Sequence, residues 1–361
     1  MTDKIVFVIP SLKVGGMERV MSEILNYGVQ STNFEIHLVL YGLKRDIFYQ
    51  LDNRVIIHRP DFEFNNNYRF YYTLKTLLYL RRILIKFKAH AILSFGEFWN
   101  NLVLISLLGK KENIFISDRC NPNKSLGLVH DFLRKILYPT ASGIICQTEL
   151  ASSVYSKNLG FKKIHIIGNP IRTIELEKRD RSKNVVLTVG RFIKSKNIDK
   201  LIKLFTEVNP SNWEFHIVGD DDVKQQNKCN YLNRISQNGM EDKIKLFGFN
   251  HNIDEFYRTS RIFIFASESE GFPNVVGEAL SAGIPTILFD SIPGVFELVP
   301  EKYHHLIIPN GDYKQFKMKL IELMESHEIH EFQDSLLLSN HIMEHFGNEI
   351  ICQKYFNLLS N

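Results

Sequence analysis

A chain of 361 residues, 44% apolar and carrying a formal net charge of +4, has the composition of an ordinary globular protein. It exceeds the roughly 250–300 residues at which a single core stops growing, so two compact domains are expected. Its four cysteines, Cys120, Cys146, Cys229 and Cys352, are scattered without a C-x-x-C pair, which argues against a structural zinc site and a disulfide framework and fits a reducing cytoplasm.

The chain enters a strand pattern at once with KIVFVIP, from Lys4, without a basic n-region and a cleavable apolar core, so no signal peptide is expected. SLKVGGMERV follows. Its Gly15-Gly16 pair is not a G-x-G-x-x-G fingerprint and has no downstream ribose acid, which argues against a nicotinamide site, yet paired glycines let a ligand approach the backbone before a helix start. FEIHLVLYG and VIIHR read as the next strands. The stretch from Tyr68 to His90 holds no acid, many aromatics and several Lys and Arg, and reads as a helix. Its outer face either rests on an anionic leaflet or is simply basic above a core-packing side. No run reaches the ~18 apolar residues of a membrane-spanning helix.

HAILSF, ENIFIS and GIICQT complete the strands of the first half, and residues 1–150 carry a net +6 against −2 for the remainder, which suggests an anionic partner for that half. Asn169-Pro170 opens a polar, charged stretch to about Asn184 that reads as a linker. The alternation then restarts with NVVLTVG, EFHIVG, KIKLFGF, RIFIFAS, PTILFD and HHLIIPN. Strands alternating with helices imply parallel sheets covered on both faces, so the expected fold is α/β, with two Rossmann-like doubly wound domains facing a cleft. Ligands of such sheets bind beyond the carboxyl ends of the strands.

Two loops there are chemically suggestive. NVVLTVG ends in Gly190-Arg191, with Lys196 five residues later, a planar fork and a compact charge suited to phosphate oxygens or else a solvated basic turn. RIFIFAS runs into SESEGFP and then the helix NVVGEALSAG, closed by Gly283 with Pro285 beyond. That helix start offers the N–H groups of Asn274, Val275 and Val276 to an anion or a row of hydroxyls. Glu270 and Glu278 flank it: either they receive the hydroxyls of a sugar and a ribose, or Glu278 complements the helix dipole and Glu270 is a solvated loop residue.

Glu270 and Glu278, set in EGFPNVVGEALSAGIPTI, resemble the E-x7-E motif of the retaining family-4 glycosyltransferases of GT-B fold, nearest to bacterial enzymes that extend lipid-linked or surface glycans. The likeness spans nearly the whole chain and is strongest from Asn184 to Gly283. It implies that Glu270 holds hydroxyls of the donor sugar and Glu278 the ribose, and that Arg191 and Lys196 clamp the donor diphosphate. Glu270, Arg191 and Lys196 are thus the implied catalytic residues. Gly15, Gly16, Gly190, Phe249, Gly271, Phe272, Pro273, Asn274, Val275 and Glu278 are the implied donor site. Glu18 and Arg19 orient the glycine loop. Phe249, in LFGFN, either lies against the base or packs.

The chain also departs from that pattern. Where many relatives carry a histidine it reads Ser117-Asp118-Arg119-Cys120-Asn121-Pro122, as in a subset of bacterial glycan extenders, some of which transfer N-acetylhexosamine. Arg119 and Lys124 are candidates to meet an acceptor diphosphate, with Glu97 a further acceptor residue; a structural Arg–Asp pair is the rival reading. Asp220-Asp221-Asp222 invites a divalent metal, but the GT-B pattern binds the diphosphate with cations and a helix terminus, so neither metal nor cofactor is expected. The resemblance implies an acceptor domain at 1–170, a nucleotide-sugar domain at 171–345 and a helix at 346–361 crossing back to the first. The expected activity is transfer of a hexose or N-acetylhexosamine from a UDP-sugar to a glycan or polyprenyl-diphosphate-linked acceptor. Expected too are residence at the inner face of the cell membrane, contact with that surface through 68–90, and no nucleic-acid partner. A nucleotide-sugar epimerase and a non-catalytic sugar-nucleotide-binding subunit are the alternatives.

Overall fold

The computed structural model describes residues 3–42, 45–222, 225–250, 252–326 and 332–361. Two compact units emerge, Met1–Pro170 with Asn348–Asn361, and Ile171–Gly347. In chain order the first holds β1 (Lys4–Ile9), α1 (Gly16–Ser31), β2 (Glu35–Leu40), β3 (Ile56–His58), α2 (Arg69–Phe87), β4 (Ala91–Phe95) and α3 (Glu97–Ser106). It continues with β5 (Ile114–Ser117), α4 (Leu128–Leu137), β6 (Gly143–Cys146), α5 (Glu149–Leu159) and β7 (Ile164–Ile166). All its strands are parallel, in the order β3-β2-β1-β4-β5-β6-β7. β7, three residues at the sheet edge just before the polar stretch that opens at Asn169, is absent from the strands read in the sequence.

The second unit holds β8 (Val185–Val189), α6 (Ile198–Val208), β9 (Glu214–Val218), α7 (Lys228–Gln237), β10 (Ile244–Phe247), α8 (Ile253–Thr259) and β11 (Ile262–Phe265). α9 (Asn274–Ser281), β12 (Thr286–Phe289), α10 (Val295–Leu298), β13 (Ile307–Ile308), α11 (Tyr313–Glu325) and α12 (Phe332–Phe346) follow. The sheet order is β10-β9-β8-β11-β12-β13, again all parallel. The central strands are runs such as VVLTV and IFIF, buried on both faces as a helix-covered parallel sheet requires.

The stretch read as a linker is largely part of the second unit. Ile171 and Ile174 are fully buried there, the Ile174 amide donates to Ser281 Oγ, and an Arg181 guanidinium N–H donates to the Gly283 carbonyl. Charged neighbours disguise this short apolar set in the sequence, and Gly277 admits it: a Cβ there would lie 2.8 Å from Ile171 Cδ1. The last helix, α13 (Asn348–Leu359), packs in the first unit against α1. Gly28 makes that approach possible, since its Cβ would meet the Phe356 ring at 2.4 Å.

Candidate active site

In the second sheet the strand order reverses between β8 and β11, the switch point where doubly wound sheets open a crevice. The Gly190–Lys196 loop leaves β8 there, and the Ser267–Pro273 loop leaves β11 beside it. Hydrogen bonds lace them together. Asn197 Nδ2 donates to the Ala266 carbonyl and to Glu268 Oε1, both at 2.9 Å; the Glu268 amide donates to the Ser195 carbonyl at 2.8 Å; Lys200 Nζ donates to Glu268 at 3.1 Å. The Asn197 amide bond, then Lys200, hold the Glu268 carboxyl below its ordinary pKa. Asn197 takes a left-handed turn at φ 52°, which Asn tolerates better than most residues. Sequence reading overlooked both Asn197 and Glu268, although the asparagine directly follows Lys196.

The laced loops bring Lys196 Nζ onto Glu270 Oε1 in a direct ion pair, each side chain 14% exposed. Lys196 also sits 5.1 Å from the Phe265 ring centroid. Removing either partner strands a mostly buried charge, so the pair persists until another charged group replaces one member.

Glu278 lies one turn into α9 and is 7% exposed. Its Oε2 accepts from the Tyr257 hydroxyl at 2.9 Å, its Oε1 lies 3.5 Å from Arg172 Nε, and Arg172 in turn reaches Asp254 at 2.7 Å. Burial works against the Arg172 charge, but Glu278 and Asp254 hold its pKa above the usual value. Glu278 is therefore built into a network rather than placed as a dipole partner alone.

The helix start differs from expectation. The Asn274 amide donates to the Phe272 carbonyl and the Val276 amide to the Pro273 carbonyl, so two of the three expected donors are spent inside the Gly271–Pro273 corner. Phe272 is buried against Phe346, ring centroids 5.7 Å apart, and Pro273 is buried as well; they shape the corner instead of presenting side chains.

Gly190 donates to the Val218 carbonyl and lies so close to the next strand end that a Cβ on Gly219 would fall 1.9 Å from the Gly190 oxygen. Arg191 is mostly exposed and reaches Asp222 at 3.0 Å. The other two acids of the triplet also have protein partners: Asp220 is 3.4 Å from Lys228 Nζ, and Asp221 accepts the Asn227 and Lys228 amides. Among the described residues no group of three or more His, Cys, Asp or Glu is clustered to hold a metal ion. Phe249 is half exposed, next to Gly248, whose would-be Cβ faces both Asp220 and Lys228 at 3.7 Å.

In the first unit Gly15 and Gly16 follow β1. The Gly15 amide donates to Tyr49 Oη at 3.0 Å, and the Glu18 carboxylate folds over Gly15, where a Cβ would lie 2.1 Å from Oε2. Arg19 donates to the Pro170 carbonyl, fixing the loop. Arg119 does not stand open to an acceptor. It donates to Asn169 Oδ1 at 2.7 Å and Tyr355 Oη at 3.1 Å, and lies 3.9 Å over the Phe95 ring. The structural Arg–Asp pair exists, but with a different arginine: Arg134 meets Asp118 at 2.6 Å, and Asp118 also accepts from Tyr138 and Asn100. Glu97 opens α3 beside Cys120, whose thiol pKa is pushed up by burial and by this carboxylate. Lys124 lies in the exposed loop before α4 and lines a shallow depression with Asp131 and Lys135.

A larger feature went unread in the sequence. Between the loop after β1 and helices α2, α3 and α4 lies a cavity of about 790 Å³, lined among others by Lys13, Arg69, Phe98, Trp99, Asn101 and His130. Asn101 is buried, its Nδ2 donates to the His130 carbonyl, and its Oδ1 has no hydrogen-bond partner among the described residues. These residues come from four segments, so no local spacing announces them.

Residues 172–334 match the family described as glycosyl transferases group 1. That stretch of the chain is a group 1 glycosyltransferase domain. The match covers the loops that pair Lys196 with Glu270 and the network around Glu278. The chain is 24% identical over 96% of both chains to the amylovoran biosynthesis glycosyltransferase AmsD of Erwinia amylovora. It is also 24% identical, over 88% of both chains, to a Campylobacter jejuni α-1,4-N-acetyl-D-galactosaminyltransferase named for an acceptor on diphospho-undecaprenol. Among solved structures, Staphylococcus aureus TarM in complex with UDP and α-GlcNAc-glycerol superposes with a TM-score of 0.77 over the whole of each chain at 12% identity. The fold of the enzyme is GT-B, two Rossmann-like parallel-sheet domains.

Proposed function

We propose that this glycosyltransferase is a retaining enzyme. It moves a hexose or N-acetylhexosamine from a UDP-sugar held by the second unit to a glycan acceptor carried on polyprenyl diphosphate, in the assembly of a bacterial surface polysaccharide or glycoprotein glycan. The observation that carries this reading is the Lys196–Glu270 pair at the switch point. A donor diphosphate competes for the ammonium, and the carboxylate so released accepts hydroxyls of the sugar. Lys196 and Arg191 then bear more of the load as negative charge grows on the departing phosphate, which is where fixed cations accelerate a reaction. Glu278, held by Tyr257 and Arg172, receives the ribose hydroxyls.

The acceptor hydroxyl attacks on the face from which the diphosphate leaves, its proton passing to a leaving phosphate oxygen, and Glu270 positions the sugar without bonding to it. No metal takes part in this scheme, because the cations of the loops meet the diphosphate and the three acids of the triplet are engaged by protein groups. The acceptor enters the first unit, whose aromatic cavity offers Asn101 Oδ1 to a hydroxyl and Lys13 and Arg69 to phosphate. Such an acceptor places the enzyme at the cytoplasmic face of the membrane. The similar proteins support this through an α-linked transfer to a lipid diphosphate and a UDP complex.

The test is a panel of nucleotide-sugars screened by thermal shift, the best then offered to membrane extract and the product anomer read by NMR. A UDP-sugar standing out, an α-linked lipid product and no epimer from donor alone are expected. An inverted product, or a glycosyl adduct on Glu270, overturns the mechanism.

A further inference from the structure

Two helices of the first unit bury only one side. On α2 the buried positions are Thr76, Leu80 and Leu84, one turn apart; on α4 they are Arg134 and Leu137. The opposite sides are apolar too. α2 exposes Phe70, Tyr71, Leu74 and Leu78, and α4 exposes Leu128, Val129, Phe132 and Ile136. Both sets run i, i+1, i+4, i+8, a single stripe on a helix of 3.6 residues per turn. The exposures are large: Phe70 is 87% and Leu128 91% exposed. α3 packs against both helices, adding half-exposed Phe98 and Trp99, and the three together line the cavity described above.

A soluble surface does not set out two such stripes on neighbouring helices without a use for them. The charges beside them indicate what that use is. α2 contains no acid and carries exposed Arg82 and Lys86; α4 carries exposed Lys135. Its acid, Asp131, is turned to Ser125, the Leu126 amide and Arg134. Aromatic and aliphatic side chains flanked by cations, with the acid turned aside, match an acyl boundary beneath anionic headgroups. No helix among the described residues is long and apolar enough to cross a membrane, so the contact is with the surface.

We infer that the outward stripes of α2 and α4 dock the first unit on an anionic bilayer, presenting the cavity between them to that surface. The inference deepens the proposal of a lipid-carried acceptor and rests on it for its purpose. The surface chemistry stands independently. Only α2 shows itself in the sequence, through its basic, acid-free composition; α4 is revealed by exposure alone.

The test is flotation of the full chain with vesicles of phosphatidylcholine, with and without phosphatidylglycerol, free of any acceptor or sugar nucleotide. The wild type is expected to float with the anionic vesicles and about tenfold less with the neutral ones. The double variants L128E/F132E and F70E/L74E, altered only at exposed positions, are each expected to lose about tenfold or more of the binding while melting as the wild type does. Arg82→Glu with Lys86→Glu is expected to erase the preference for the anionic lipid. Wild-type-like flotation of both apolar double variants overturns the inference, as does failure of the wild type to float. So does a wild-type dimer that L128E/F132E converts to monomer, which assigns the stripe to a second copy. Glu270→Ala is expected to float normally. If it floats and still transfers sugar, the active-site reading fails while the docking surface stands.

Discussion

The two sheets share one plan and furnish it in opposite ways. Both reverse their strand order beside the first strand of the unit, between β1 and β4 in one and between β8 and β11 in the other. At the second switch point the loops are charged and mutually satisfied: Lys196 with Glu270, Arg191 with Asp222, Glu268 with Lys200. In the first, the neighbouring cavity is lined by Phe98 and Trp99, with cations only in part of its wall and a buried amide oxygen that has no partner among the described residues. A Rossmann-like sheet thus supplies a place, and the loops supply the chemistry. Charges that exchange partners suit a ligand that brings its own charge. An apolar wall suits one that brings rings and a lipid.

The sharpest way to break this comparison is at Glu270. Glu270→Ala, or Lys196→Ala, is expected to lower transfer by about 10²–10³-fold, as loss of one fixed transition-state contact does. Initial rates at saturating donor are the measure, and a variant with near-normal turnover removes the pair from the mechanism. Next comes Glu278→Ala, which leaves Arg172 with Asp254 alone. A stability loss of about 1–3 kcal/mol, together with weaker UDP binding, is expected by denaturant titration and calorimetry. Unchanged UDP affinity would separate the network from the nucleotide.

Tyr257→Phe removes one hydrogen bond to Glu278 and is expected to cost about 0.5–1.5 kcal/mol, with donor KM raised more than kcat is lowered. A lowered kcat with KM unchanged would mean that the hydroxyl acts in the transition state.

The smallest expected effect lies in the first unit. His37 Nδ1 and His58 Nε2 are 2.9 Å apart, and burial, the largest cause, holds both imidazoles below their ordinary pKa. Lys4 adds to the lowering of both, Lys86 to that of His58, and Glu35 opposes it. A lowered folded-state value means that the pair's stability is fully present above the unfolded value near pH ~6.5 and is lost as pH falls through the folded one. Melting curves at neutral and mildly acid pH are expected to show this loss in the wild type and less of it in His58→Phe. Equal acid sensitivity would place its origin elsewhere.

The amino-acid sequence by itself determined the alternation of strands and helices, the restart of the pattern near Asn184, and the stretch from Glu270 to Glu278, because each is written in consecutive residues whose period or spacing is local. It showed too little of β7, and it disguised Ile171 and Ile174 as linker, since isolated apolar residues among charges carry no period. Only the tertiary structure decided that Lys196 meets Glu270 and that Arg119 is taken up by Asn169, Tyr355 and Phe95. It alone assembled a cavity from five separate segments and left the outer side of α4 uncovered. Those outcomes depend on which strand lies beside which and on what each side chain meets across the fold, and no spacing along the chain encodes such distances.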